Sequence, residues 1–273
     1  MMNPLKDIFS KKIISKSALP FTDEALTGPI NTNRETLAMI DDWIDDKAFA
    51  ASFFQYGVPD FIKAVINKPI GGAVTYTDLM LLIAGKYFER VNYLEIGVSV
   101  GKNFFQLLRS LPNAGLTGFD IEEINPVLER QLRFTDKKEW ATPRRSIKKN
   151  SSSLKTYSFG DKKVAYLSAD VWDEGSWEKL QGQKFNIVFS DALHSAKAIL
   201  FEFKMLEKYG LLDDRFVIVW DDLVGKMQDA FFKIIRRYNA AYGIRDIYLV
   251  EVNGWVGQHE GPHAIGIISN FVF

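Results

Sequence analysis

Acidic residues recur in this chain at one kind of place, the end of a short apolar run. Gly115 to Phe119 ends in Asp120, and Val164 to Ser168 is followed by Ala169 and Asp170. Phe185 to Ser190 leads to Asp191, and Phe216 to Trp220 leads to Asp221 and Asp222. Runs of this length and composition read as buried strands, and ligands of open α/β sheets bind beyond the carboxyl ends of the strands. A carboxylate at Asp120 can accept both hydroxyls of a ribose. One at Asp170 can accept a hydrogen bond from an adenine exocyclic amine, with the Val171 N–H facing a ring nitrogen. Each acid alone could equally be a helix cap or a loop residue. All of them, in order at successive strand ends, point to a nucleoside ligand.

The strongest local pattern precedes them. Leu94-Glu95-Ile96-Gly97-Val98-Ser99-Val100-Gly101-Lys102 carries a strand into a glycine turn and then a helix. Glycines let backbone approach a ligand closely, and a helix N-terminus offers free N–H groups. A dinucleotide fingerprint would need glycine at 97, 99 and 102, but Ser99 and Lys102 occupy two of those positions. A nicotinamide dehydrogenase is therefore the weakest of the enzyme readings. The spacing present is acid-x-Gly-x-x-x-Gly, which a purely structural strand-to-helix turn could also produce.

The elements needed to position these residues can be read around them. Strands are expected at Val91–Ile96, Gly115–Asp120, Val164–Ser168, Phe185–Ser190, Phe216–Trp220, Asp246–Val252 and Ala264–Phe273. Helices are expected at Gly101–Leu111, Asn125–Arg133, Ser195–Lys208 and Lys226–Tyr242. Alternation of this kind implies a parallel sheet with helices on both faces. The connection Asn253–His263 is too short for a helical crossover, so the last two strands should pair antiparallel. His259, Glu260 and His263 fall in it and could imitate a metal site, but they read rather as a polar hairpin loop. Before Val91 the chain reads as helical from Arg34 to about Tyr56, again over Pro59–Asn67, and from an N-cap at Thr75 to about Phe88, with Asp78 completing a capping box. Asp41, Asp42, Asp45 and Asp46 form a solvated face of the first helix, and Met1–Gly28 is irregular. Residues 1–74 are thus an N-terminal helical extension and 75–273 the main domain. The polar segment 133–163, with Lys137, Lys138, Arg144, Arg145, Lys148 and Lys149, reads as an inserted mobile loop.

Composition narrows the classes. The 273 residues suffice for one large α/β domain or one domain with a small appendage. Lys plus Arg and Asp plus Glu each number 34, so nothing global points to nucleic acid or an anionic membrane. Absence of cysteine excludes disulfides, thiolate metal sites and Cys nucleophiles. Met1–Pro20 has apolar runs too short for a signal-peptide core, and no window approaches the roughly 18 apolar residues of a membrane span. A cytoplasmic protein is expected, and a homo-oligomer is left open.

From about Thr75 to Phe273 the chain resembles the class I S-adenosylmethionine-dependent methyltransferases. That resemblance implies an α/β, Rossmann-like seven-stranded sheet in the order 3-2-1-4-5-7-6, strand 7 antiparallel, with helices on both faces. It implies Glu95, Gly97, Ser99 and Gly101 around the methionine part of the cofactor. It also implies Asp120 and Ile121 at the ribose, Asp170 and Val171 at the adenine, and Asp191 nearby. Asp191-Ala192-Leu193-His194, followed by Asp221-Asp222, resembles the metal-dependent small-molecule O-methyltransferases of the catechol, macrolide-sugar and cephamycin-pathway type. In that branch Asp191, Asp221 and Asp222 would hold Mg2+, a hard ion that takes oxygen ligands. An acceptor hydroxyl on the ion loses its proton more easily, and His194 would take that proton as general base, with Asp191 beside it. The N-terminal extension would cap the pocket for a small-molecule acceptor. Two alternatives remain: an RNA or protein methyltransferase gripping with the basic insertion, and a non-catalytic protein that keeps the fold and binds the cofactor.

Overall fold

The apolar runs that end in acids form the middle of a single mixed sheet in the computed structural model of the chain, which describes residues 19–44, 58, 60–65, 68, 70–141 and 151–273. Helices α1 (Asp23–Ile44), α2 (Asp60–Lys63) and α3 (Tyr76–Tyr87) precede the sheet. There follow β1 (Val91–Ile96), α4 (Lys102–Ser110), β2 (Ala114–Asp120), α5 (Pro126–Arg130), β3 (Arg133–Ala141), β4 (Ser151–Phe159) and β5 (Lys162–Ser168). The chain continues through α6 (Glu174–Glu178), β6 (Phe185–Ser190), α7 (Ala196–Lys208), β7 (Leu212–Trp220), α8 (Lys226–Tyr242), β8 (Asp246–Gly254) and β9 (Gly257–Ser269). No helix among the described residues is long and apolar enough to cross a membrane.

The sheet has nine strands in the order β3-β4-β5-β2-β1-β6-β7-β9-β8, not the expected seven, so its order as a whole differs from the expected one. Strands β5, β2, β1, β6 and β7 are mutually parallel, while β9 runs antiparallel to both β7 and β8. The two additional strands come from the segment expected to be a loop. β3 and β4 form an antiparallel pair, and β4 adds to the outer side of β5. Polarity misled because an edge strand needs only a partial apolar face. Lys137, Lys138 and Glu139 are exposed on β3, while Tyr157 of β4 is buried. Arg144, Arg145, Lys148 and Lys149 lie outside the described residues.

Other boundaries shift as well. Residues 23–28, expected to be irregular, belong to α1, which runs through Pro29. The expected continuation to Tyr56, with Asp45 and Asp46, lies outside the described residues, as do 1–18. The last connection is shorter than expected. β8 reaches Gly254 and β9 starts at Gly257, so His259 and His263 stand on a strand and not in a loop.

Side chains alternate across the strands and both faces are buried, which is why the parallel strands are almost continuously apolar. Tyr93, Leu116, Ile187, Val217 and Ile267 share one apolar cluster with Leu79 and Ile83 of α3, Phe104 and Leu107 of α4, and Leu26 and Leu37 of α1. Leu94, Phe119, Val188, Ile218 and Trp220 share the other with Phe203 of α7 and Phe231 and Ile234 of α8.

Besides its apolar contacts and a Thr36–Ser110 hydroxyl pair, the N-terminal helix is fastened to the rest by one buried carboxylate. Thr75 caps α3 and Asp78 closes the capping box. Asp78, wholly buried, also accepts from Asn33 Nδ2 at 2.7 Å and pairs with Arg34 through Nη1 at 3.1 Å and Nη2 at 2.9 Å. Arg34 spends its remaining donors on the carbonyls of Gly71 and Ala73. Removing one partner of such a pair leaves a buried charge uncompensated. Asp78→Ala is therefore expected to lower unfolding stability by about 3–5 kcal/mol, read from urea denaturation, whereas a loss under 1 kcal/mol would show that α1 is held by its apolar contacts alone.

Candidate active site

The turn after β1 is built by positive backbone angles and one close approach. Gly97, Ser99 and Gly101 have φ of 87°, 52° and 84°. A Cβ at Gly97 would come within 2.5 Å of Ala192 Cα and of the Asp191 carbonyl. Glycine at 97 thus allows the turn after β1 to lie directly against the backbone that follows β6. Asp120, at the end of β2, clamps the same turn: its Oδ2 accepts from the N–H groups of Val98 and Ser99, both at 2.8 Å, and its Oδ1 from Glu122 N–H. Ile121 follows, half-buried.

Glu95 shares a face of β1 with Tyr93. It is buried and accepts from Tyr93 Oη at 2.7 Å and Asn103 Nδ2 at 3.0 Å, while Thr77 of α3 donates to Asn103 Oδ1. Burial pushes its carboxyl well above the usual carboxylate range, against the two hydrogen bonds it receives. At the end of β5, Asp170 Oδ1 accepts from Trp172 N–H, and the buried Val171 gives its carbonyl to Trp177 Nε1.

The densest charge lies beyond β6 and β7. His194 stands between two carboxylates, with Nε2 at 3.0 Å from Asp191 Oδ1 and Nδ1 at 2.9 Å from Asp222 Oδ2. These two hydrogen bonds raise its pKa to about 10. With a proton on each ring nitrogen, His194 has no lone pair to offer while it holds this position. Burial, followed by the charge of Asp221, raises the Asp191 carboxyl to about 7. Asp221, 2% exposed, is raised by burial, whereas Asp222 is lowered by His194. Asp222 adopts φ of 51°, a left-handed conformation that Asp tolerates better than most residues, and its N–H donates to Asp221 Oδ1.

His263 joins this group from β9. Its Nδ1 lies 2.8 Å from Asp221 Oδ2 and 3.5 Å from Asp222 Oδ1. Among the described residues, Asp221, Asp222 and His263 form the group whose ligand atoms all lie within 4.8 Å of one another, and Asp191 is not part of it. The structure therefore brings together two of the three expected metal acids, adds an imidazole, and ties Asp191 to them through His194. The sequence places His263 in a loop because hydropathy starts the last strand at Ala264, whereas β9 begins at Gly257. An antiparallel register carried one step further places it beside the acids: Trp220 pairs with Gly266, and Leu223 N–H donates to the Ala264 carbonyl.

A cavity of 580 Å³ opens at this group, lined by His194, Asp222, Val224, Lys226 and Met227 among others. A larger one, 740 Å³, lies at the amino ends of β1, β2 and β5 and contains none of the strand-end acids. The smaller cavity is the one that Asp222 and His194 line. On the outer hairpin, Lys137 pairs with Glu139 and Lys155 with Glu123 and Glu129, so these cations are already engaged within the fold.

No family model matches the sequence, and no curated protein matches it. Among solved structures, the chain is similar to cofactor-bound Rv0187 from MTB, at 16% identity and a TM-score of 0.46, over 82% of this chain and 89% of that one. It is also similar to a putative O-methyltransferase from Klebsiella pneumoniae, at 13% identity and a TM-score of 0.43, over 86% and 94% of the two chains. A third is the MycE methyltransferase of the mycinamycin pathway, in complex with Mg and SAH, at 14% identity and a TM-score of 0.43, over 77% of this chain and 47% of that one. At such distances none of them carries an activity over to this chain.

The imidazole of His194 gives a pH signature. Its folded pKa of about 10 lies above the unfolded value of about 6.5. Its contribution to stability is therefore complete below about pH 6.5 and is lost as pH rises through about 10. In metal-free protein, ring resonances of His194 should remain those of imidazolium through neutral pH. Wild type should lose stability relative to His194→Gln between neutral pH and about 10; a ring titrating near its ordinary value would contradict the two-carboxylate clamp.

Proposed function

We propose that the protein is an S-adenosylmethionine-dependent methyltransferase that transfers the methyl group to a hydroxyl of a small molecule, assisted by a divalent cation. The observation that carries this reading is the contact of Gly97 with the Asp191–Ala192 backbone. It joins a glycine turn and nucleoside-type acid to a cluster of carboxylates and imidazoles, so cofactor and acceptor share one strand-end crevice.

Residues of the chain divide the work as follows. The Gly97–Gly101 turn and Asp120 hold the ribose and methionine portions, with Asp170 and Val171 toward the adenine. When bound, the cofactor supplies an electrophilic methyl on a sulfonium, whose carbon–sulfur bond breaks, leaving the electron pair on sulfur, as the acceptor oxygen bonds to carbon. Transfer of this kind depends chiefly on orientation, which the cavity beside His194 and Met227 gives the acceptor. Asp221 and Asp222 are oxygen donors suited to a divalent cation, magnesium in the sequence reading, and such a cation lowers the pKa of a coordinated hydroxyl. Asp191, with a carboxyl near neutrality, takes the hydroxyl proton and releases it to solvent; His194, held as imidazolium between Asp191 and Asp222, orients that carboxyl. Residues 19–44, packed on α3 and α4, belong to a cap on the acceptor side.

Two measurements test this. By calorimetry, S-adenosylhomocysteine should bind more tightly than NAD, and Asp120→Ala should weaken it by about 1.5–3 kcal/mol through lost charge-assisted hydrogen bonds; tighter NAD binding would overturn the cofactor assignment. In a methyl-transfer assay over a panel of phenols and sugars, Asp221→Asn and Asp222→Asn should reduce turnover far more than cofactor affinity, and exhaustive chelation should abolish it. Full turnover after chelation would overturn the cation's role, and cofactor binding without transfer to any hydroxyl would favour the non-catalytic alternative.

A further inference from the structure

We infer that the cation held at the ends of β7 and β9 is a first-row transition-metal ion such as Mn2+, bound through the imidazole of His263, in preference to Mg2+. The inference rests on the reading that this cluster binds a divalent cation, and it concerns which ion and which ligands. Asp221, Asp222 and His263 each present a ligand atom, all within 4.8 Å of one another. The imidazole is not a bystander on the surface. Its side chain is 14% exposed, its ring stands edge-on to Tyr76 at 5.9 Å, and its Nδ1 lies 2.9 and 2.8 Å from the two Asp221 oxygens and 3.5 Å from Asp222 Oδ1.

Two features of the backbone hold it there. β9 is antiparallel to β7, so a residue just beyond the paired stretch of β9 must sit at the carboxyl end of β7. Gly266 on β9 leaves the room that Leu223 fills, since a Cβ there would lie 2.2 Å from Leu223 Cδ1. Leu223 can thus fold down onto the strand directly after the two acids, which keeps Asp221 and Asp222 against His263.

The donor set does not suit magnesium. Mg2+ takes oxygen ligands and gives up its water reluctantly, whereas imidazole nitrogen suits transition-metal ions and carboxylate oxygen suits Mn2+ as well. Asp191, the third oxygen donor of the magnesium reading, is outside the 4.8 Å group and tied to His194. Replacing an oxygen donor by a nitrogen donor moves the site away from the hard ion.

The test uses the full-length protein, freed of metal by dialysis against a chelator and reloaded with Mn2+ in the presence of S-adenosylhomocysteine. Pulsed electron paramagnetic resonance should show 14N modulation from a directly bound imidazole, and this should persist in His194→Gln and vanish in His263→Gln. Mn2+ affinity should fall in His263→Gln by at least the roughly 10–100-fold typical of losing even an outer-shell partner, while Mg2+ affinity changes less. If His263→Gln does not fold, modulation in wild type together with its persistence in His194→Gln carries the same conclusion. Mn2+ bound without nitrogen modulation, or with modulation that disappears in His194→Gln, would overturn the inference and leave the metal-assisted reading standing. Failure of both Mn2+ and Mg2+ to bind would overturn both.

Discussion

Charge balance at the carboxyl ends of β6 and β7 is the constraint around which the rest of the molecule is arranged. Parallel neighbours in a sheet lie about 4.8 Å apart, so acids that follow adjacent strands cannot avoid one another. Two unit charges 4 Å apart repel by about 4 kcal/mol at the effective dielectric of a protein surface, and Asp221 is almost wholly out of water. Positive or proton-bearing groups must therefore be brought in. One comes from the turn before α7, as His194, and the other from β9, as His263. The antiparallel placement of β9 beside β7 is what makes the second available, and the glycine at 97 is what brings the turn after β1 up against the Asp191–Ala192 backbone.

The N-terminal helical layer is joined to this centre by polar contacts and not by proximity in sequence. Asp78 fastens α1 to α3 through Arg34 and Asn33. One residue earlier, Thr77 begins a chain of hydrogen bonds through Asn103 to Glu95. The same short stretch of α3 thus faces the extension on one side and the floor of the glycine turn on the other. A buried network of this kind is costly when partly satisfied and rigid when complete, so changes in the extension are felt at the turn.

Much of this was legible in the sequence because strand burial and strand-end acids leave a plain trace. The five parallel strands, the glycine turn, the Thr75–Asp78 capping box and the acids at 120, 170, 191, 221 and 222 all fall where apolar runs stop. What was not legible has physical reasons. β3 and β4 are polar because an outer hairpin is covered only in part: Tyr157 is buried on one face of β4 and Leu154 packs, partly buried, on the other. His263 looked like a loop residue because the boundary of β9 is set by pairing with β7 and β8 and not by hydropathy. The clamp of Asp120 on the turn amides, and the capture of His194 by two carboxylates, depend on side-chain directions that no spacing rule encodes.

The β3–β4 hairpin alters the status of β5. Without it β5 would be the outermost strand, with one row of amides facing water and free to fray. With β4 laid along it from Ser153 to Phe159, β5 is paired on both sides. Local opening is cheapest at edges and termini, so the strand that carries Asp170 and Val171 can separate only if its neighbours do. Asp170 and Val171 therefore follow an interior strand, and the fluctuations of a sheet edge are passed outward to a hairpin that carries none of the strand-end acids.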